Sequence, residues 1–404
     1  MEPGQSEKKR ASTLKAVLKV LLPPALATLI RRAQYGMKRT IHTLALSRYG
    51  RHTKALIREN IEITGDFHAA LNEMFFDYPK TYPPELYINS CKNKNVALVK
   101  PASATPSGNA PVLLCVVKND FEKVKAQVEY HRRIGITHFA YIDNISNDGV
   151  FEWLSEQNDV SLFRTSEKFS DIVKEAWKKQ AADVLGYGKW YLTLDPDEFF
   201  SYPGIENTPL CRYIEFLESK NIRSIPALMV DMYSKEGLFK SISGDFIKDY
   251  CFFDTGTYTH RRWYGFQDMY KGPRWRLFHS GDMLMHTGLT KYPLTKLTKS
   301  MVMSTHKNHP AKLNFATNGP AAFLLHYKFL PDEKAKYEEF AKGGIDSLAN
   351  REYRQMAKVY SQNPELSFYY GGSQKFDSSI DLMKINITDK KFFKEFLAYC
   401  AKRP

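Results

Sequence analysis

The chain has 404 residues, is 43% hydrophobic and 14% aromatic, and carries a formal net charge of +14. That length supports a large core and roughly two or three domains, and the apolar content excludes a disordered chain. Its five cysteines, Cys91, Cys115, Cys211, Cys251 and Cys400, are scattered without Cys-x-x-Cys spacing, which argues against a zinc ribbon or a disulfide framework and for a reducing cytosol.

The positive charge is concentrated at one end. Residues 1–60 hold thirteen Lys and Arg against three Glu, so ten of the fourteen surplus charges lie there and the remainder is near neutral. Within this segment Val17–Ile30 is apolar but interrupted by Lys19 and Pro23-Pro24, too short for a membrane-spanning helix. A long charged flank and the lack of a clean small-x-small site make it a poor signal peptide. Basic and apolar together predict an interfacial segment drawn to anionic lipid, and the alternative is a helical extension with a solvated charged face. No nucleic-acid motif accompanies the charge, so nucleic acid is not an expected partner. The expected location is cytoplasmic, peripheral on the inner face of the cytoplasmic membrane.

Residues 101–110, Pro-Ala-Ser-Ala-Thr-Pro-Ser-Gly-Asn-Ala, form a loop and set the domain boundary. The division is a basic, mainly helical extension over 1–108, a catalytic domain over 109–330 and a helical region over 331–404. Val112–Val117 is a continuous apolar run, the pattern of a strand buried on both faces. A helix is expected over 121–133, capped by Asn119 with Glu122 at capping-box spacing and stopped by Gly135. A strand at 138–142, a helix through Phe151 and Leu154, a strand at 160–163, a helix over 170–185 and a strand at 190–194 follow. This alternation predicts an α/β fold with a mostly parallel sheet and helices on both faces. Residues 205–330 mix helix and strand, and the end of the chain is mostly helix, broken near Gly371-Gly372.

Directly after the last of these strands come three carboxylates, in Leu194-Asp195-Pro196-Asp197-Glu198-Phe199. Ligands of open α/β sheets bind beyond the carboxyl ends of strands. Alternate residues of an extended chain point the same way, so Asp195 and Asp197 are expected to face one point. Like charges that close need a cation, and Mn²⁺ or Mg²⁺ with oxygen ligands is the candidate, leaving positions for phosphate oxygens. The plain alternative is a solvated acidic turn with Glu198 opening a helix. A second acidic turn, Asp143-Asn144-Ile145-Ser146-Asn147-Asp148-Gly149, also follows a strand. Its carboxylate can accept hydrogen bonds from a nucleobase or ribose, or from its own backbone.

Four segments in order, Cys115–Asn119, Glu129–Gly135, Tyr141–Gly149 and Asp195–Phe199, resemble the family-two-like glycosyltransferases of GT-A fold, in the branch marked by Asp-x-Asp-Glu-Phe. Leu324-Leu325-His326-Tyr327-Lys328 resembles that branch's Leu-Leu-His-aromatic-Lys motif. The likeness covers residues 111–330. It implies a nucleotide-diphospho-sugar fold and a metal-dependent, inverting sugar transferase. The implied donor is a nucleotide sugar, with UDP as nucleotide, and the implied acceptor a glycan or glycolipid in surface polysaccharide or lipopolysaccharide synthesis. It also implies that Lys118, Asn119 and Asp143 contact the donor, that Asp195 and Asp197 engage metal and diphosphate, and that His326 closes the metal or diphosphate site.

Direct displacement needs a base for the acceptor hydroxyl. Asp231, which ends the apolar run Leu228-Met229-Val230, is the first candidate, ahead of Asp254 and Asp268. Arg261, Arg262, Arg274 and Arg276, set among Trp263, Tyr264 and Trp275, could clamp phosphate or form an ordinary polar surface. Gln180 and Asp183 could face the donor, the core or solvent. Two other functions use the same features: a nucleotidyltransferase, for which Lys118-Asn119-Asp120 is not the expected Gly-rich triphosphate loop, and a non-catalytic, membrane-associated carbohydrate-binding protein.

Overall fold

A computed structural model describes residues 67, 70–71, 73–74, 84–103, 110–240, 243–263, 266–279, 288–304, 306–310, 313–314, 317–342 and 348–402. All of them belong to the compact unit Ile63–Pro404. The basic segment 1–60, Tyr264 and the side chains of Arg262 and Trp263 lie outside the described residues.

The chain enters through α1 (Pro84–Asn93) and β1 (Ala97–Lys100), then alternates as read above. In order come β2 (Val112–Val117), α2 (Phe121–Arg133), β3 (His138–Asp143), α3 (Val150–Glu156), β4 (Val160–Arg164), α4 (Asp171–Leu185) and β5 (Trp190–Leu194). These strands form a six-stranded sheet in the order β1-β4-β3-β2-β5-β12, with β12 at Leu294–Lys296. The inner pairs β4–β3, β3–β2 and β2–β5 are parallel, and the two edge pairs are antiparallel. The sheet is therefore the mostly parallel one expected of the α/β class. Every residue of β2 and β3 is buried, because helices cover both faces and leave no solvent side. Strand β2 is the topological switch: the chain leaves it toward β3 on one side and returns as β5 on the other, so a crevice opens beyond its carboxyl end.

After β6 (Glu198–Ser201), α5 (Leu210–Ser219) and β7 (Ala227–Asp231) come α6 (Phe246–Asp249), β8 (Phe252–Asp254), the hairpin β9 (Tyr258–Trp263) and β10 (Phe266–Lys271), and α7 (Gly272–Phe278). Short strands β11 (Thr290–Lys291), β13 (Val302–Met303) and β14 (Asn308–His309) precede β15 (Ala322–His326). A second sheet, ordered β11-β7-β15-β6, sets the ends of β7 and β15 side by side, His326 opposite Asp231, and places Glu198 across from His326. The chain closes with α8 (Glu333–Lys342), α9 (Leu348–Gln362), β16 (Ser373–Lys375) and α10 (Lys390–Ala401). Helix α10 packs Phe396 edge-on against Tyr213 of α5, which itself stacks on Tyr202 at 4.4 Å. All five cysteines are free. Among the described residues no helix is long and apolar enough to cross a membrane.

One local expectation is corrected. The helix over 121–133 is present, but its N-cap is Asp120 rather than Asn119. Asn119 adopts a left-handed φ of 53°, a conformation Asn tolerates better than most residues, and its side chain accepts from the Asn147 N–H. The first free helical N–H, that of Phe121, is satisfied from outside by Asp148 at 2.9 Å.

Candidate active site

The acidic segment after β5 does not continue as an extended chain. Pro196 and Asp197 form a turn, the Glu198 N–H donates to the Asp195 carbonyl, and Glu198 opens strand β6, not a helix. Asp195 and Asp197 are consequently engaged by different side chains, where strict alternation had placed them on one point. Asp195 accepts from Lys291 at 2.6 Å and from Lys174 at 3.3 Å. Burial works to raise its pKa, but Lys174 and Lys291 reverse that and hold it well below the usual carboxylate range. Asp197, about a quarter exposed, lies 3.3 Å from His326 Nε2. Burial is again outweighed, here by His326, and its pKa is also lowered.

Glu198 is buried. One oxygen accepts from the Asp195 N–H at 3.0 Å, and the other lies 2.5 Å from the Lys291 ammonium. Burial raises its pKa, with Lys291 opposing the shift in part. The turn is braced from α2: Gln127 donates to the carbonyls of Asp195 and Glu198 at 2.7 and 3.0 Å and accepts from the Tyr141 hydroxyl at 2.8 Å. One helical turn on, His131 is fully buried, bonded through Nδ1 to the Gln127 carbonyl and through Nε2 to the Phe200 N–H.

Behind Asp197 runs a chain of paired charges. His326 Nδ1 meets Asp231 Oδ1 at 2.7 Å, and Asp231 Oδ2 accepts from Arg274 Nε at 2.8 Å. Burial disfavours charge on His326, yet Asp197 and Asp231 together raise its pKa. Asp231 is wholly buried; burial is outweighed by Arg274 and His326, and its pKa falls to about 2. With both oxygens occupied it holds His326 in place.

Ligand atoms of Asp197, Glu198 and His326 all lie within 4.8 Å of one another. Two carboxylates and an imidazole are a donor set that fits Mn²⁺. Because Nδ1 faces the Asp231 carboxylate, Nε2 of the neutral ring is the lone pair left for an ion, a familiar carboxylate–histidine support. A second acidic group, Asp120, Asp332 and Glu333, instead surrounds the buried Lys123 ammonium, which contacts Asp120 at 2.8 Å, Asp332 at 3.3 Å and Glu333. There the resident lysine already supplies the cation.

The other sequence candidates are distributed as follows. Lys118 and Asn119 are exposed just beyond the end of β2. Asp143 is fully buried and accepts from the Ser146 N–H at 3.1 Å, with Arg164 at 3.4 Å. Its turn carries Ile145 at φ 53° and 46% exposed, an uncommon conformation for a β-branched residue. Asp254 is buried and forked by Arg276, so Arg274 and Arg276 both serve carboxylates. Asp268 is exposed on β10, and Arg261 lies over the Tyr270 ring. Gln180 bonds the Val96 N–H and the Ser90 carbonyl, tying α4 to the segment around α1 and β1, and Asp183 pairs with Lys179 on the surface. Sequence reasoning passed over Lys174, Lys178, Lys291 and Gln127. The available signal was α4 itself: Ile172, Val173, Ala176, Trp177, Ala181 and Ala182 cover so wide an arc that its lysines cannot all reach solvent.

No protein-family model matches the chain, and no curated protein matches it. Solved structures similar to it include the mannosyltransferase PcManGT from Pyrobaculum calidifontis, in complex with GDP-Man and Mn²⁺, at 13% identity. That match covers 83% of this chain and 86% of the other with a TM-score of 0.29, a likeness that assigns neither ligand nor activity here.

Proposed function

We propose that the protein is a metal-dependent glycosyltransferase that moves a sugar from a nucleoside diphosphate to a hydroxyl of a glycan or glycolipid. The observation that carries this is the meeting of Asp197, Glu198 and His326 beside the switch point of a mostly parallel sheet. Asp197, Glu198 and His326 would hold a divalent ion, Mn²⁺ better than Mg²⁺ given the imidazole nitrogen. Such an ion supplies positive charge that offsets what gathers on the departing diphosphate.

The chain's own groups do the positioning. Arg274 fixes Asp231, Asp231 fixes the His326 ring, and His326 directs Nε2 at Asp197. Asp231 is thereby a positioning residue rather than the base first expected, since a carboxylate with a pKa of about 2 and both oxygens paired is a poor proton acceptor. Lys118, Asn119 and the turn shaped by Asp143 border the crevice at β2 and receive the nucleoside. Surface polysaccharide or lipopolysaccharide synthesis, inversion at the sugar, and a lipid-facing role for residues 1–60 complete the reading on the strength of the sequence resemblance.

The test is a thermal-shift and mass-spectrometric screen of UDP- and GDP-sugars with Mn²⁺. Stabilisation by nucleoside diphosphate plus metal, with slow release of free sugar, is expected. No shift with any nucleoside diphosphate and metal would reject the transferase. Pyrophosphate release from a nucleoside triphosphate and a sugar phosphate would instead mark a nucleotidyltransferase.

A further inference from the structure

A small cleft opens beside Asp195, lined by Lys174, Lys178, Lys291, Asp195, Ser304 and Asn308 among others. None of Asp197, Glu198 or His326 lines it. Three lysines in one small cleft are unusual, and each is less than a tenth exposed. Lys174 and Lys178 stand one turn apart on α4, so they share a face, and Lys291 comes from β11 across the cleft.

Burying an ammonium group is costly unless it is paired. Among the described residues Lys291 meets Asp195 and Glu198, Lys174 meets Asp195 at 3.3 Å, and Lys178 meets Glu175 at 3.3 Å. Each ammonium has three N–H donors, so most of the nine lack a carboxylate. A carboxylate shared by two lysines is also a poorer complement than a group with three acceptor oxygens at tetrahedral angles.

We infer that this cleft is an oxyanion subsite in which Lys174, Lys178 and Lys291 bind a phosphate group, separately from the divalent ion proposed for Asp197, Glu198 and His326. The subsite stands on the lysines alone; which molecule brings the phosphate, the nucleotide donor or a phosphorylated acceptor, rests on the transferase reading.

The experiment is titration calorimetry of the full chain with pyrophosphate in EDTA. Metal-free binding is expected, weakened about tenfold or more in Lys178→Met, largely restored in Lys178→Arg, and retained in Asp197→Asn. Lys178→Gln serves if the Met variant does not fold. Absence of metal-free pyrophosphate binding, or equal binding by wild type and Lys178→Met, would overturn the subsite. Repeating the series with UDP and with a hexose 1-phosphate separates the sources: the ligand whose affinity falls in Lys178→Met is the one that places its phosphate here. Pyrophosphate binding that persists while Mn²⁺ and UDP together fail to bind would sustain the subsite and reject the transferase reading.

Discussion

Lowering the pH from about 7 to about 4.5 should cost the fold about 3 kcal/mol through His131 alone. Both ring nitrogens are engaged: Nδ1 donates to the Gln127 carbonyl, and Nε2 accepts from the Phe200 N–H at 3.2 Å. Accepting requires a lone pair, so the ring is neutral and a second proton would break the bond that anchors β6. Burial lowers its pKa from 6.5 to about 3, with the bond to Gln127 opposing in part. The unfolded chain takes up a proton at this residue below 6.5, while the folded chain does not until about 3. The contribution is therefore complete above 6.5 and drains as pH falls, by about 1.4 kcal/mol per pH unit for the one proton. Denaturant unfolding followed by tryptophan fluorescence, at several pH values for wild type and His131→Gln, isolates it. The other buried histidines with lowered pKa, His138 and His306, are common to both chains and cancel. The wild-type advantage should shrink by about 1.4 kcal/mol per unit below 6.5; parallel curves would refute the reasoning.

Asp197→Asn should weaken Mn²⁺ binding by at least about tenfold, seen by electron paramagnetic resonance of the free ion, with the melting temperature little changed; unaltered binding would remove Asp197 from the ligand set. Arg274→Met leaves Asp231 buried without its cation and should destabilise by about 3–5 kcal/mol in chemical denaturation; a loss under about 1 kcal/mol would show that His326 suffices. Gln127→Leu strips the carbonyls of Asp195 and Glu198 and the Tyr141 hydroxyl of a partner, for a loss of about 2–5 kcal/mol and weaker Mn²⁺ binding. A chain lacking residues 1–60 should sediment less with anionic vesicles than the full chain, and equal sedimentation would set aside lipid attraction.

The parallel sheet was legible because its strands are buried on both faces and so appear as unbroken apolar runs, as in Val112–Val117. Edge strand β1 was not, since Leu98 and Val99 are exposed and the segment has no apolar alternation to report. Strand β6 was obscured by its first residue, an acid that is buried only because Lys291 reaches it from far along the chain. The acidic motif itself was visible through its place after a buried strand. The direction of its carboxylates was not, because a turn at Pro196-Asp197 defeats the alternation rule. Arg274 and Arg276 left both a phosphate clamp and an ordinary polar surface open because an arginine's partner is invisible in sequence; both pair with buried aspartates.

Strands β6, β7 and β15 place Glu198, Asp231 and His326 on one side of their sheet, while Phe199, Val230 and Leu325 face the other. A pleat has a reading frame. Deleting one residue within Ala322–Leu325 would turn the imidazole of His326 toward the hollow bordered by Phe199, Met232 and Tyr327, and would swing an aliphatic group into its former place. Length in these three short segments is thus as strictly constrained as composition, and an indel there would extinguish the polar face without removing any of its members.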